Sequence, residues 1–279
     1  MIVRFYGARG SIPVSGKEYL KYGGNTTCLE IRTKDDDVII IDAGSGIRTL
    51  GHRLISENRF RYTMIFTHAH WDHIMGFPFF QPIYFTKTEI TMYGCPFAQA
   101  SVKEMISRIM APPNFPVKFE DIRADIIYHE DCKAPFAVKS MSITPIPLSH
   151  PNQGVGYRFT EDGKSFVFLT DNELTFKHPG GVDFPAYRDF SAGADLLVHD
   201  AEFTEEEYKK TKTWGHSVYR DALRLALEAR VGKFGLFHHN QERSDEGIDE
   251  IVADCRKIAG GCSGGLECFA VYQGMEIIL

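Results

Sequence analysis

The segment Thr67-His68-Ala69-His70-Trp71-Asp72-His73 places three imidazoles and a carboxylate within six residues. On an extended backbone, residues two apart face the same way, so His68 and His70 converge. If the chain then turns into a helix, Asp72 and His73 point back toward them from the next turn. Such nitrogen and oxygen donors suit a borderline divalent cation, zinc foremost, or manganese or iron. A lone His after a strand reads as part of a polar loop; three with an Asp in this order read as a metal site.

The surrounding pattern alternates strand and helix. Tyr62–Thr67 is a short apolar run rich in β-formers, which predicts a buried strand, and strand ends are where α/β proteins build their sites. Strands are also expected over 2–7, 28–33, 38–44, 141–148, 154–161, 165–171, 195–201 and 233–239, with Glu161-Asp162-Gly163-Lys164 as a hairpin turn. Helices are expected over 45–57, 97–110, 217–230 and 244–258. Residues 111–116, APPNFP, end the second of these, and Gly260 and Gly261 close the last. The aromatic, Pro-interrupted stretch 77–88 predicts an irregular wall, with Phe77, Phe79 and Tyr84 as core, pocket lining or base-stacking groups. Only a loose likeness of two βα halves is visible, and the whole of 1–279 reads as one α/β domain.

Composition narrows the class. The 279 residues carry a formal net charge of −6, with 43% apolar and 24% charged residues, ordinary for a soluble globular protein. No apolar run approaches the roughly 20 residues that span a bilayer. The amino terminus enters a strand pattern directly, without a signal-peptide pattern. Six widely spread Cys with no Cys-x-x-Cys pair do not read as a disulfide framework, and a reducing cytoplasm is the expectation. The acidic balance gives no bulk attraction for nucleic acid.

His68-Ala69-His70-Trp71-Asp72-His73 resembles the His-x-His-x-Asp-His motif of the metallo-β-lactamase superfamily, and the likeness extends over nearly the whole chain. Asp42-Ala43-Gly44 is similar to the family's Asp-x-Gly turn. His150 stands where the family places its third His, Asp171 where it has a bridging carboxylate, and His238 where it has its last His. The resemblance implies an αββα sandwich, two mixed sheets flanked by helices, with a two-metal site at one edge. His68, His70 and His150 would hold one ion, Asp72, His73 and His238 the other, and Asp171 both. Each ion would keep a position for a shared hydroxide and for substrate. Alternation along 233–239 puts His238 and His239 on opposite faces, so only one can face the metals; the family's spacing favours His238.

Leu197-Val198-His199-Asp200-Ala201-Glu202-Phe203, then Trp214-Gly215-His216-Ser217 and Ala222, are similar to the His-Glu-Ala-Thr and Gly-His-Ser-x5-Ala segments of the phosphodiesterase branch. That branch includes tRNA 3′-processing endonucleases, phosphoribosyl cyclic phosphodiesterases and cyclic-nucleotide phosphodiesterases. The likeness implies that His216 is a catalytic acid or phosphate-binding group, oriented by Asp200, with Asp72 and Ser217 completing the catalytic and substrate-binding set. Asp replaces the branch's usual Glu at 200, which shortens the reach by one methylene. A neighbouring carboxylate favours the imidazolium form; the amino terminus of a helix starting at 217 would oppose it. His199 is expected to be structural.

The Gly-rich stretches 7–13 and 22–28 offer Arg9 and Asn25, with Asn25 the candidate substrate contact and turn-forming roles the alternative. The expected activity is hydrolysis of a small, cyclic phosphodiester or nucleotide. The alternatives are a lactone or thioester hydrolase, an RNA-processing nuclease, and a non-catalytic binding module. His150 and Asp171 are separated by a hairpin instead of the flexible basic arm of the tRNA-processing enzymes, so nucleic acid is not the favoured partner. A homodimer is compatible with the branch.

Overall fold

The computed structural model describes residues 1–95, 101–130, 134–261 and 265–279. Among these residues fourteen strands form two seven-stranded mixed sheets. In chain order the first sheet is built from β1 (Ile2–Gly7), β2 (Cys28–Arg32), β3 (Val38–Ile41), β4 (Arg61–Ile65), β5 (Glu89–Tyr93) and β6 (Asp125–His129). The second takes β7 (Phe136–Val138), β8 (Met141–Pro147), β9 (Val155–Glu161), β10 (Lys164–Leu169), β11 (Leu196–Asp200), β12 (Lys233–Phe237) and β13 (Glu267–Ala270); β14 (Glu276–Ile278) returns to the first. The sheet orders are β14-β1-β2-β3-β4-β5-β6 and β13-β12-β11-β10-β9-β8-β7. Each has an antiparallel part and a parallel part, β3 to β6 in one and β10 to β13 in the other.

The inner faces meet in one aromatic and aliphatic core. Phe5 and Phe237 have ring centroids 6.2 Å apart, and Phe168 meets Phe237 edge-on at 5.2 Å. The parallel strands β3, β11 and β12 are apolar runs because both faces are covered, by the other sheet and by helices. Helices α1 (Ile47–Ser56) and α3 (Val102–Ile109) flank the first sheet's side of the core, α1 through Ile47, Leu50 and Leu54. The second sheet's outer face buries Val167 and Leu197 with α4 (Phe184–Ser191), α6 (Tyr219–Glu228) and α7 (Asp245–Gly260). Helix α7 presents Ile248, Ile251, Val252, Cys255 and Ala259 as one stripe, and Ser244 caps it by accepting the Gly247 N–H. Two further helices are short: α2 (Trp71–Ile74) and α5 (Glu205–Thr211).

Several elements depart from expectation. β3, β10 and β12 stop at 41, 169 and 237 because Asp42, Asp171 and His238 adopt left-handed backbone (φ 59°, 46° and 57°). Helix α6 starts at Tyr219, so His216 and Ser217 lie in the loop ahead of it. The expected helix 97–110 is observed over Val102–Ile109; residues 96–100 lie outside the described set. Cys95 is disulfide-bonded, a pairing that the wide cysteine spacing did not suggest; Cys132 and Cys262 lie outside the described residues, and Cys28, Cys255 and Cys268 are free and buried. Among the described residues no helix is long and apolar enough to cross a membrane.

The inter-sheet core should dominate stability. Phe168→Ala removes a fully buried ring and should cost about 3–5 kcal/mol, read as a lower midpoint in urea unfolding.

Candidate metal centre

The carboxyl ends of the parallel strands of both sheets converge on one point. β4 runs into Thr67 and His68, β10 into Asp171, β11 into Asp200 and β12 into His238, while β8 leads to His150. Two groups of side chains present ligand atoms within 4.8 Å of one another: His68, His70, His150 and Asp171; and Asp72, His73, Asp171 and His238. Asp171 belongs to both. Its Oδ1 lies 3.1 Å from His73 Nε2, and its Oδ2 lies 3.2 Å from His238 Nε2 and 3.5 Å from His68 Nε2.

Four of the five imidazoles are held at Nδ1 with Nε2 turned inward. Asp42 Oδ2 accepts from His73 Nδ1 (2.7 Å), and Asp42 also takes the Thr67 N–H and hydroxyl (2.8 and 2.7 Å). With its proton given to Asp42, Thr67 Oγ1 can accept from His68 Nδ1 at 3.1 Å. Gly215 O accepts from His150 Nδ1 at 2.9 Å, and Glu202 Oε2 from His238 Nδ1 at 2.9 Å. His70 is the exception: its Nδ1 faces the cluster, 3.0 Å from His150 Nε2. Fixing one ring nitrogen by a hydrogen bond aims the other and sets its tautomer, the support that metal-ligating histidines need.

The cluster fits a cation by an independent sign. His68 Nε2 and His73 Nε2 are buried and make no hydrogen bond, a costly state for an imidazole nitrogen unless a ligand completes it. Burial, reinforced by the neighbouring His73, holds the His68 pKa well below its usual value. Burial likewise pushes His150 down to about 3. Both therefore present a lone pair. For Asp171 and Asp72 burial favours protonation, but the His238 and His73 imidazoles outweigh it and hold both carboxyls well below the usual range. His73 and His238 are raised in turn, burial being overcome by Asp171 and the other acids around them. All-nitrogen and oxygen coordination suits zinc, manganese or iron alike.

A third group adjoins these. His216 Nδ1 lies 2.7 Å from Asp200 Oδ2 and 3.4 Å from Glu202 Oε2. Burial lowers the His216 pKa, but the Glu202 and Asp200 carboxylates prevail and push it up to about 9. The shortened Asp at 200 therefore still reaches. His216 stacks on His238 with centroids 4.6 Å apart and meets His150 at 5.2 Å. Two glycines permit this packing: a Cβ on Gly10 would stand 2.3 Å from the His238 ring, and one on Gly215 (φ 97°) 2.1 Å from His150 Nδ1.

Other anticipated residues sit elsewhere. Ser217 is buried and commits its hydroxyl to Asn172 O (2.5 Å) and the Leu174 N–H (3.1 Å), so it ties two loops together. Asn25 accepts from the Ser45 hydroxyl, and its carbonyl takes the Ala8 and Arg9 N–H groups, so it shapes the turn. The Arg9 guanidinium is buried against Gly23 O, Asn240 O and Arg243 O. His199 bonds Asp200 O and Asn172, in the core. His239 turns away from the cluster, its Nε2 2.8 Å from Val271 O.

Three positioning carboxylates had no assigned role from the sequence: Asp42, Glu202 and Glu173. Glu202 stands two residues beyond Asp200, so the same alternation that pairs His68 with His70 could have found it. Glu173 accepts from Tyr208, Thr213 N, Gly215 N and His178, and so pins the loop that carries His216; it has no such signal.

A two-sheet α/β sandwich with five His and two Asp gathered at its strand ends defines a metallohydrolase. The family model for the beta-lactamase superfamily domain matches residues 38–239, and the chain belongs to that superfamily, as a metal-dependent hydrolase of its phosphodiesterase branch. Ribonuclease Z of Haloarcula marismortui is 24% identical over 321 residues, covering 99% of this chain and 96% of that protein. Among solved structures, the metallo-beta-lactamase fold protein YhfI from Bacillus subtilis superposes with a TM-score of 0.71 at 17% identity, covering 99% of this chain and 98% of that one. A diphosphatase from the PhnP family gives 0.70 at 16% identity, over 100% and 97%.

Asp42→Ala frees His73 Nδ1 without removing a cluster residue. It should weaken divalent-metal affinity about 10- to 100-fold, measured by competition with a chromogenic chelator.

Proposed function

We propose that this chain hydrolyses a small phosphodiester, a cyclic nucleotide-type diester foremost, at a two-cation site. The observation that carries the reading is the His216–Asp200 pair, 2.7 Å apart, set directly against the two ligand groups. His68, His70, His150 and Asp171 would hold one cation and Asp72, His73, Asp171 and His238 the other. Two bound divalent cations supply Lewis acidity, lowering the pKa of water toward neutral and offsetting charge on phosphate oxygens.

The chain's own residues account for the remaining steps. Asp200 holds His216 by Nδ1, so the transferable proton sits at Nε2. His216 lines a cavity of about 350 Å³ with Ser11, Glu202, Trp214 and Asn240. As water attacks phosphorus and the opposite P–O bond breaks, His216 gives its proton to the leaving oxygen, and a cyclic diester opens to a monoester. Asp72, whose Oδ2 takes the Ser11 N–H at 2.9 Å, orients the attacking water. A thioester's thiolate leaves without such an acid, so the pair favours an oxygen leaving group, such as that of a phosphodiester.

A second reading, cleavage at an RNA end, is supported by the full-length match to a protein named ribonuclease Z. Against it stand the β9–β10 hairpin, which fills the interval between His150 and Asp171 with sheet, and the acidic balance.

With bis(p-nitrophenyl) phosphate as substrate, His68→Ala and Asp171→Ala should abolish turnover and lower metal content in elemental analysis. His216→Ala should keep its metal while kcat on a cyclic nucleotide, whose leaving alkoxide needs the proton, falls by about 10²–10⁴; on bis(p-nitrophenyl) phosphate, whose p-nitrophenolate leaves unprotonated, the loss should be far smaller. Full activity in metal-free protein overturns the reading. A panel of cyclic nucleotides, an RNA 3′ end, a lactone and a thioester orders the substrate classes.

A further inference from the structure

The chain has two tryptophans, and both stand exposed beside the ligand cluster, Trp71 at 75% and Trp214 at 62%. They belong to different cavities. Trp214 lines the His216 cavity. Trp71 lines a separate groove of about 510 Å³ that shares no residue with it. Ala69 and Trp71 alternate with His68, His70 and Asp72 along the chain, so this groove borders the cluster directly.

The groove is built at helical spacing. Trp71, Met75 and Phe79 recur every four residues along α2 and the turn after it. Met105 and Arg108 come from one face of α3, and Phe115 follows. Phe79 is 54% exposed and meets Phe115 edge-on at 5.5 Å. Exposed rings clustered around a concave surface mark a binding site more than scattered apolar residues do. The neighbouring cluster selects an anion, so the ligand must be anionic at one end and apolar and flat at the other. Ring faces are stacking platforms for planar groups.

We infer that the Trp71–Phe79–Phe115 groove binds a planar aromatic ring, a nucleobase or aryl group, on the part of the phosphodiester that keeps its bond to phosphorus. This rests on the phosphodiester reading of the adjacent cluster. Because His216 lies in the other cavity, the leaving oxygen departs toward His216. Water's oxygen bonds to phosphorus, the P–O bond on the His216 side breaks, and the leaving oxygen takes the His216 proton. The ring stays with the phosphate as a monoester. In a ring-opened cyclic nucleotide the base likewise stays with the phosphate.

Two diesters with the same leaving group isolate the retained arm: p-nitrophenyl phenyl phosphate and p-nitrophenyl methyl phosphate. With metal-loaded protein, kcat/KM should favour the phenyl ester. Trp71→Ala and Phe79→Ala should reduce that preference about tenfold, whereas Trp214→Ala should leave the ratio in place. A preference that survives both groove variants, or that follows Trp214 instead, overturns the inference. If neither diester is hydrolysed, the phosphodiester reading fails and fluorescence decides the groove. In Trp214→Phe protein, where Trp71 is the sole indole, adenosine monophosphate should quench emission saturably, and Phe79→Ala should abolish the effect. Absence of quenching overturns the groove assignment.

Discussion

The structure depends on the burial of negative charge. Asp72 and Asp171 are removed from water at the meeting point of the two sheets, and a buried carboxylate is tolerated only when compensated. Five imidazoles surround them. Further acids, Asp42, Asp200 and Glu202, stand behind His73, His216 and His238 and fix their rings. The stretch of protein that binds metal is thus an alternating lattice of carboxylates and imidazoles, each correct only in the presence of its neighbours.

Strand geometry delivers these groups. The parallel halves of both sheets end on the same side, so the loops beyond β4, β10, β11 and β12 converge. Left-handed backbone at Asp42, Asp171 and His238 ends each strand abruptly and turns the side chain from the sheet's alternation into the cluster. Non-glycine residues held there carry a cost of about 1–3 kcal/mol each, which the surrounding hydrogen bonds sustain. Gly10 and Gly215 complete the geometry by leaving space for His238 and His150. The folded core and the site are therefore one construction: the strands that pack Phe168 and Phe237 also set Asp171 and His238.

The site's surroundings are unequal. On one side His216, Glu202 and Trp214 line one cavity. On the other, Trp71, Phe79 and Phe115 line a second, with Arg108 and Asn114. The two cavities share no residue, so the ligand cluster is approached from two separate sides.

Local chemistry is what the sequence determined by itself. Donor types and two-residue spacing marked His68, His70, Asp72 and His73, and apolar runs marked the central strands, because buried strands must be apolar in any context. β5 and the edge strands β6 and β7 were missed since their solvent-facing residues break the apolar run, and α5 was missed since EEEYKKT buries nothing, although Thr204 and Glu207 carry the capping-box spacing. The partner cysteine chemistry at Cys95 was equally invisible. Only the tertiary structure decided that Glu202 and Asp42 orient ligands, that Ser217 and Asn25 serve turns, and that His238 rather than His239 faces inward. Those outcomes depend on φ at a single residue or on contacts between segments far apart in the chain, such as Glu202 with His238 and Asp42 with His73. One-dimensional spacing carries no record of either.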